Sequence, residues 1–299
     1  PRISAKESVK VKDREKSKLD WDDRLTIEIN GDAPVCESIR VEAADPATPT
    51  IFLCGNSTVV DQENEPWASW GQMLPRFLTD KISVANHAES GLPANTFISG
   101  NRLKKIMSQI KKGDYVFVEF GHNDQKQKGP GKGAYYSFMT SLKTFIDQIQ
   151  EKGGQPVLVT PTRRRRFDKE GRTVNTHGEY PDAVRWIAAK ENVPLIELNN
   201  MTGTLYEALG ESGSKKAFVH YPMGSFPGQK KELADNTHFN PYGAYQIAKC
   251  VIEGMKKATP KLTKYLKTDT SYDPAKPDNV DSFHWCPAPF CEMEKPDGN

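Results

Sequence analysis

The sequence predicts an α/β fold, a three-layer α/β/α sandwich with a central parallel sheet that is preceded by a short β element. Short, continuous apolar runs recur along the chain, as in strands buried on both faces. Longer segments with helical periodicity lie between them, and strands that alternate with helices form parallel sheets covered by helices. With 36% hydrophobic and 27% charged residues, the 299-residue chain also has the composition of a folded globular protein.

The N-terminal residues 1–48 differ in pattern from the rest. Residues 1–18 hold seven Lys or Arg against three Asp or Glu and almost nothing to bury, so we expect a mobile arm, either a solvated charged segment or a binding patch. In residues 19–45, apolar side chains alternate with polar ones around an Asn-Gly-Asp turn, which predicts a hairpin-like β element. The alternating apolar residues are Leu25, Ile27, Ile29, Ile39 and Val41.

Residues 49–268 carry the pattern of the α/β unit itself. Apolar runs predict buried strands at 50–54, 115–120, 156–160 and 194–198. Helical patterns cover 69–77, 100–110, 136–150, 180–190 and 242–257. Residues 269–299 are rich in Pro and Asp, which predicts an irregular tail.

Composition and cysteine spacing exclude several classes of function. The net charge of +2 gives no support for a nucleic-acid partner, and no stretch approaches the length of a membrane-spanning apolar helix. Paired CxxC motifs and HExxH are both absent from the sequence, so we expect no metal site. Cys286 and Cys291 are close enough in sequence to pair in an oxidising compartment, and the sequence leaves this pairing and the oligomeric state open.

Three polar segments follow predicted strands, where a parallel sheet places its functional edge. Ser57 follows the first strand, so its hydroxyl and its own N–H can face that edge, although Gly-Asn-Ser is also a plain turn. Gly91 follows an apolar run at 82–84, and a glycine N–H can bind an oxyanion because no Cβ blocks close approach. Asn123, in Gly-His-Asn-Asp, can either present an amide donor or belong to a turn.

A fourth segment, Asp235-Asn236-Thr237-His238, precedes the last predicted helix and is expected to be a loop. If this loop turns, the Asp235 carboxylate can hold one tautomer of His238 while the other ring nitrogen faces outward. In the alternative interpretation, Asp235 or Asn236 caps the helix and His238 is a surface residue.

The order of these Ser, Gly, Asn and His segments resembles that of the SGNH, or GDSL-type, hydrolase superfamily, which has a flavodoxin-like sandwich fold. Within it, the chain is similar to rhamnogalacturonan acetylesterases over about residues 50–260. The segments that carry the resemblance are FLCGNSTVVDQ, NHAESGLPANTF, VFVEFGHNDQ, TPTRRRRFDKEGRTVNTHGEYPDAV and DNTHFNPYGA. The stretch THGEYPDAV favours this subfamily over lipases.

The resemblance implies a role for each matching residue. Ser57 would be the nucleophile, His238 the general base and Asp235 the residue that orients it. The oxyanion hole would be formed by Ser57, Gly91 and Asn123. His122 and Asp124 belong to the Asn123 block and would line the substrate site, and so would His177.

One residue departs from the family pattern. The usual first block is Gly-Asp-Ser, and Asn56 stands here in place of the Asp. The amide keeps the size of the side chain and can still accept a hydrogen bond, but it loses the charge. This position therefore supplies no carboxylate for ordering the loop or tuning a pKa.

The implied activity is that of a serine esterase that removes O-acetyl groups from a polysaccharide, above all acetylated rhamnogalacturonan (pectin), through an acyl-enzyme. It needs no cofactor and no metal, and its partner is the acetylated polymer. An extracytoplasmic location, periplasmic or secreted, is inferred from the substrate class only. The resemblance also suggests that residues 1–48 are the remnant of an accessory β domain.

Further substrate contacts are expected after the strand at 156–160. Arg164 and Arg165 lie in a run of four arginines there, and guanidinium groups pair well with the carboxylates of galacturonate. In the alternative, the arginines form a solvated loop or pair with nearby carboxylates, namely those of Asp168, Glu170 and Asp182.

Aromatic side chains divide into candidates for sugar stacking and candidates for the core. Trp67 follows Pro66 in a predicted loop and is the better candidate for a sugar ring. Trp70 and Tyr136 lie in helical patterns and are expected in the core.

Two other functions stay open. The first is an SGNH esterase or lipase acting on other acyl esters, although the sequence contains no long apolar stretch that would form a lid. The second is a non-catalytic carbohydrate-binding relative, which would need none of Ser57, Asp235 and His238.

Overall fold

Five short parallel strands form the centre of the molecule. They pair in the order β2-β1-β3-β4-β5, and their bounds are β1 Thr50–Cys54, β2 Ser83–Asn86, β3 Tyr115–Glu119, β4 Gln155–Val159 and β5 Leu195–Ile196. The structure is a computed structural model that describes residues 9–16, 18, 21, 25–29, 31, 33–268 and 270–286. Because β1 lies between β2 and β3, the strand order reverses beside β1, and ligands of open α/β sheets bind at such a point.

Seven helices and a separate strand pair surround this sheet in the described part of the chain. The helices are α1 Trp70–Met73, α2 Ala94–Ser99, α3 Arg102–Met107, α4 Met139–Glu151, α5 Tyr180–Lys190, α6 Leu198–Gly213 and α7 Pro241–Ala258. Strands β6 Phe218–Tyr221 and β7 Leu233–Phe239 form an antiparallel pair.

Both faces of the sheet are covered by apolar side chains. Along β1, Ile51 and Leu53 pack into a cluster with α1, α6 and α7, whereas Phe52 and Cys54 pack into a second cluster with α2 to α5. Successive residues of a strand point to opposite faces, so a continuous apolar run serves two cores at once. The predicted three-layer α/β/α sandwich is confirmed.

Two predicted helices are interrupted. The helix expected at 69–77 is α1 followed by a 3₁₀ turn at Leu74–Phe77, because Pro75 has no N–H to continue an α-helix. The helix expected at 100–110 is shorter and begins at Arg102, because Asn101 has the left-handed φ of 61°. The sequence interpretation missed α2, α6, β6 and β7, and the loop expected around Asp235 is part of β7.

The predicted hairpin at 19–45 is wrong for the part of it that is described, since residues 25–29 and 33–45 contain no strand. Leu25 is 64% exposed and Val41 is 67% exposed. Alternating apolar residues form a stable strand only where one face is buried against other elements, and no such surface is present here.

The predicted mobile arm is also wrong for its described residues. Val9 and Lys18 are buried, and the Glu15 carboxylate forms a buried ion pair with Arg102 at the start of α3. The basic composition of this segment concealed these contacts, because charged residues usually face solvent, whereas Glu15 and Lys18 are enclosed here.

The C-terminal tail is largely irregular, as expected, with one 3₁₀ turn at Val280–Ser282 among residues 270–286. Cys291 lies outside the described residues, so the structure does not test its pairing with Cys286. Of the helices in the described ranges, none combines the length and the apolar character needed to cross a membrane.

Candidate active site

Ser57 lies in the sharp turn that leaves β1. The backbone N–H groups of Val59 and Val60 both donate to the Asn56 carbonyl, which closes the turn. Gly55 permits this close packing, because a Cβ at that position would lie 2.5 Å from Val59 Cγ2. The turn holds Ser57, 4% exposed, at the carboxyl end of the sheet.

Asp235, His238 and Ser57 form a continuous row of hydrogen bonds. His238 Nε2 lies 2.8 Å from Ser57 Oγ, and His238 Nδ1 lies 2.8 Å from Asp235 Oδ2. The other carboxylate oxygen of Asp235 accepts the backbone N–H groups of Thr237 and His238, at 2.8 and 3.0 Å. A proton can therefore pass from the Ser57 hydroxyl to an imidazole whose far nitrogen is held by a carboxylate.

The local environment keeps Asp235 ionised. Burial by itself raises the pKa of a carboxyl group, but the hydrogen bond and charge of His238 and the two backbone N–H groups outweigh it. Together they hold the pKa of Asp235 well below its ordinary value. The carboxylate can therefore stabilise a protonated His238.

Gly91 and Asn123 lie on loops that follow β2 and β3, the strands on either side of β1. Gly91 adopts a φ of 75°, a conformation that favours glycine, and the hydrogen bond of its turn runs from Leu92 N to Glu89 O. Asn123 Nδ2 is buried and makes no hydrogen bond to any described residue. A buried donor without a partner is costly, which fits an amide reserved for a ligand.

Asp124 organises the loop after β3. Its carboxylate accepts the N–H of Ala94 at 2.8 Å and that of Gly121 at 2.9 Å. Burial raises the pKa of Asp124 to about 7. Both carboxylate oxygens are used inside the protein, so the expected contact of Asp124 with substrate gains no support from its geometry.

His122 and His177 form a buried pair next to Asn123. Their rings meet edge to face at 4.4 Å, and none of the four ring nitrogens has a partner among the described residues. Burial and the neighbouring charge of Arg164 hold the pKa of His122 well below its ordinary value and lower that of His177 to about 3. Each ring is therefore neutral near pH 7, but neither is open to a substrate hydroxyl, since His122 is 3% and His177 1% exposed, so the expected substrate contacts of both are not favoured.

The two candidate arginines have different surroundings. Arg164 donates to neutral oxygens of Gln125 and Thr176, both at 3.2 Å, and to the His122 carbonyl at 3.3 Å. Within the described part of the chain, no carboxylate lies within salt-bridge distance of its guanidinium. Arg164 is thus hydrogen-bonded to the loop that contains His122, and no described carboxylate neutralises its positive charge.

Arg165 is occupied by contacts within the protein. Its Nε donates to Ser214 Oγ at 3.0 Å, Nη1 donates to Asn236 Oδ1 at 3.1 Å, and Nη2 donates to the Glu211 carbonyl. It braces the residue next to Asp235, and its expected contact with a substrate carboxylate is not favoured by this geometry.

The carboxylates offered as alternative partners of these arginines pair elsewhere, Asp168 and Glu170 with Arg172 and Asp182 with Arg185.

Two expectations about aromatic residues are wrong. Trp67 is only 4% exposed, and a ring so enclosed presents no open face to a sugar. Tyr136 is 67% exposed instead of lying in the core, because residues 134–138 form a distorted turn in which Tyr136 has non-helical angles. Trp70 is fully buried, as expected.

Comparison with known proteins agrees with this arrangement. The model of the GDSL-like lipase/acylhydrolase family matches residues 53–245, which include Ser57, Asp235 and His238. The chain belongs to this family.

Three relatives of this GDSL-like chain come from Bacillus subtilis. It is 41% identical over 218 residues to the rhamnogalacturonan acetylesterase RhgT, covering 72% of this chain and 93% of that protein. It is 33% identical to the probable rhamnogalacturonan acetylesterase YesY, covering 72% of this chain and 96% of that one. The crystal structure of YxiM superimposes with a TM-score of 0.61 at 27% identity, covering 71% of this chain and 57% of YxiM.

Asn56, which replaces the Asp of the first GDSL block, helps to order the turn that contains Ser57. Asn56 Oδ1 accepts the Thr58 N–H at 3.2 Å and lies 3.0 Å from Thr58 Oγ1. An amide oxygen can make the contacts that order this turn, so the loop does not depend on a negative charge at residue 56.

The sequence interpretation missed a buried carboxylate beneath Ser57. Glu119, the last residue of β3, accepts hydrogen bonds from Thr58 Oγ1 at 3.0 Å, from Thr162 N at 3.3 Å and from Trp70 Nε1. Burial raises the pKa of Glu119 to about 7, although these hydrogen bonds lower it. Its signal in the sequence is a single charged residue inside the apolar run of β3.

The described residues contain no cluster of three or more His, Cys, Asp or Glu side chains with the geometry of a metal site.

Proposed function

We propose that this chain is a serine esterase that removes O-acetyl groups from a plant cell-wall polysaccharide, in particular acetylated rhamnogalacturonan. The observation that carries the proposal is the hydrogen-bonded row Ser57–His238–Asp235 at the edge of the sheet. In this proposal Ser57 is the nucleophile, His238 the general base and Asp235 the residue that orients and stabilises the imidazole.

The reaction has two stages. His238 takes the Ser57 proton while the serine oxygen attacks the acetyl carbonyl, and His238 then gives that proton to the leaving sugar oxygen. Water, activated by His238, next attacks the acetyl-enzyme and releases acetate. In both stages the N–H groups of Ser57 and Gly91 and the amide of Asn123 stabilise the oxyanion. Apart from the ester and the attacking water, each step uses side chains and backbone groups of this chain.

The substrate class is inferred from the relatives and from the surroundings of the site. RhgT is a rhamnogalacturonan acetylesterase by name, and galacturonate units of that polymer carry carboxylates. The charge of Arg164 has no carboxylate partner among the described residues, and a uronate would provide one. His122 and His177 are as enclosed as Trp67, so they are assigned to the packing beside Asn123 and not to direct contact with the sugar. We infer an extracytoplasmic location, periplasmic or secreted, from this substrate class only.

The decisive experiment is acetate release from acetylated rhamnogalacturonan and, in parallel, from acetylated xylan. We expect release from the pectic polymer and its loss in Ser57→Ala, with Ser99→Ala, an exposed serine at the end of α2, as the matched control. Preference for xylan would retain the esterase and contradict the pectin substrate.

If neither polymer releases acetate, a panel of short and long acyl esters distinguishes an esterase of other specificity from a non-catalytic carbohydrate-binding protein.

A further inference from the structure

The N-terminal segment touches the loop that carries Gly91. Lys12 Nζ donates a hydrogen bond to the carbonyl oxygen of Ser90. Lys18 Nζ lies 3.6 Å from Glu89 Oε2, and both of these side chains are buried. Two ammonium groups from a segment more than 70 residues away in sequence therefore meet two adjacent residues, Glu89 and Ser90, of one active-site loop.

Buried contacts hold Lys12 in this position. Its backbone N–H donates to Glu15 Oε2 at 2.9 Å. The Glu15 carboxylate in turn accepts a hydrogen bond from Arg102 Nη1 at 3.0 Å. The N–H of Lys10 donates to the Gly100 carbonyl at 3.0 Å. The backbone on either side of Lys12 is thus tied to α2 and α3, which form part of the layer on one side of the sheet.

The Ser90 carbonyl and the Gly91 N–H belong to the same peptide group. Because a trans peptide is planar, its C=O and N–H point in opposite directions, so a donor fixed on the carbonyl fixes the direction of the N–H. A cation on the carbonyl also polarises the peptide, which makes the N–H a stronger donor.

We propose that Lys12 is a positioning residue for the oxyanion hole, acting through the Ser90–Gly91 peptide from the side opposite the substrate. The inference rests on the proposed function, in which Gly91 N–H binds the oxyanion. The Lys18 ammonium, 3.6 Å from Glu89 Oε2, also offsets the charge of this buried carboxylate, which precedes Gly91 by two residues and opposes a developing negative charge.

The test compares Lys12→Met with Lys16→Met. Lys16 is a lysine of the same segment, but it is exposed and, among the residues that the structure describes, pairs only with Asp13, at 2.6 Å. With 4-nitrophenyl acetate, we expect Lys12→Met to lower kcat about 10-fold with KM within about twofold, since complete loss of one oxyanion donor costs about 10²–10³-fold. Lys16→Met should match the wild type, and Lys12→Arg, which keeps a charged donor, should recover most of the loss.

A boronic acid inhibitor separates positioning from general destabilisation. It forms a tetrahedral adduct with the nucleophile, so its inhibition constant should rise in Lys12→Met by the same factor as kcat/KM falls. An unchanged kcat and an unchanged inhibition constant would overturn the proposal, and so would equal losses in Lys12→Met and Lys16→Met.

If Lys12→Met does not fold, Lys12→Leu, which likewise removes the donor, replaces it, and wild-type kcat in that variant overturns the proposal. Ser57→Ala is measured beside these variants. Residual activity in Ser57→Ala would contradict the proposed function, whereas an inactive Ser57→Ala beside a fully active Lys12→Met contradicts only the role of Lys12.

Discussion

Two buried carboxylates close to Ser57 are held in opposite states by their neighbours. Asp235 faces His238 and two backbone N–H groups, which keep its pKa low. Glu119 has neutral donors only, and burial dominates, so its pKa rises to about 7. The surroundings therefore favour the ionised carboxylate at Asp235 and the protonated carboxyl group at Glu119.

Asp235→Asn should abolish most of the esterase activity. The amide has nearly the same size, but it no longer stabilises a protonated His238 and can impose the wrong tautomer. We expect kcat to fall by about 10³–10⁴-fold with little change in fold. Steady-state kinetics with acetate esters measures this, with the exposed Asp147→Asn as the control. A fall of less than about 10-fold would contradict the assigned role.

Glu119→Gln should change the pH dependence of stability. The folded pKa of about 7 exceeds the ordinary value of 4.5, so the folded protein holds this proton more tightly than the unfolded chain. The contribution of Glu119 to the free energy of unfolding is therefore greatest below pH 4.5 and declines as the pH rises through 7.

Urea unfolding of wild type and Glu119→Gln from pH 4.5 to 8 measures this decline. Relative to Glu119→Gln, the free energy of unfolding of the wild type should fall by about 3 kcal/mol over that pH range. The exposed Glu170→Gln should show no such shift. A pH-independent difference between wild type and Glu119→Gln would contradict the raised pKa.

At the level of elements, each loop at the carboxyl edge of the sheet has a separate task. The turn after β1 holds Ser57, and the loop after β3 holds His122 and Asn123. The loop after β4 holds Arg164 and Arg165, of which Arg165 is used to brace Asn236 beside Asp235. Separate loops on one rigid sheet can thus provide catalysis and substrate binding together.

Arg164→Gln should change substrate preference. If its guanidinium binds a uronate carboxylate, kcat/KM for acetylated rhamnogalacturonan should fall about 10-fold more than kcat/KM for 4-nitrophenyl acetate, as expected for loss of a charged hydrogen bond. Arg166→Gln, in the same loop but exposed, is the control. Equal falls for both substrates would show that Arg164 maintains the loop and does not bind the polymer.

At the level of the whole molecule, the N-terminal segment is joined to the α/β unit by buried contacts. The Glu15–Arg102 pair is enclosed, and Trp21 is buried with the Arg102 guanidinium 5.8 Å and the Lys105 ammonium 5.2 Å from its ring. The sequence pattern changes at residue 48, but residues before this boundary pack against residues after it.

Glu15→Ala should destabilise the whole domain. It leaves the buried Arg102 without its carboxylate partner, which costs about 3–5 kcal/mol of unfolding free energy. Asp13→Ala, which removes an exposed contact with Lys16, should leave the unfolding free energy close to that of the wild type. Denaturant unfolding of the two variants measures the contrast. Similar stabilities would mean that the segment is not part of the cooperative unit.

The sequence by itself determined the sandwich and the location of its functional edge. Apolar runs alternating with helical patterns predict a parallel sheet because a strand buried on both faces needs apolar residues at every position. The places of Ser57, Gly91 and Asn123 follow from the strands before them. The Asp235 and His238 positions followed from their spacing and the family resemblance, although the local structure there is a strand instead of a loop.

Only the tertiary structure decided which side chains are enclosed and what they face. Trp67 and Tyr136 exchanged their expected environments, Arg164 and Arg165 took different partners, and Lys12 met a peptide 78 residues away in sequence. Periodicity in the sequence indicates which face of a helix or strand is apolar. Contacts between distant segments determine how deeply a side chain is buried, which charges are paired and how each pKa is shifted. The detailed chemistry of this site depends on those contacts.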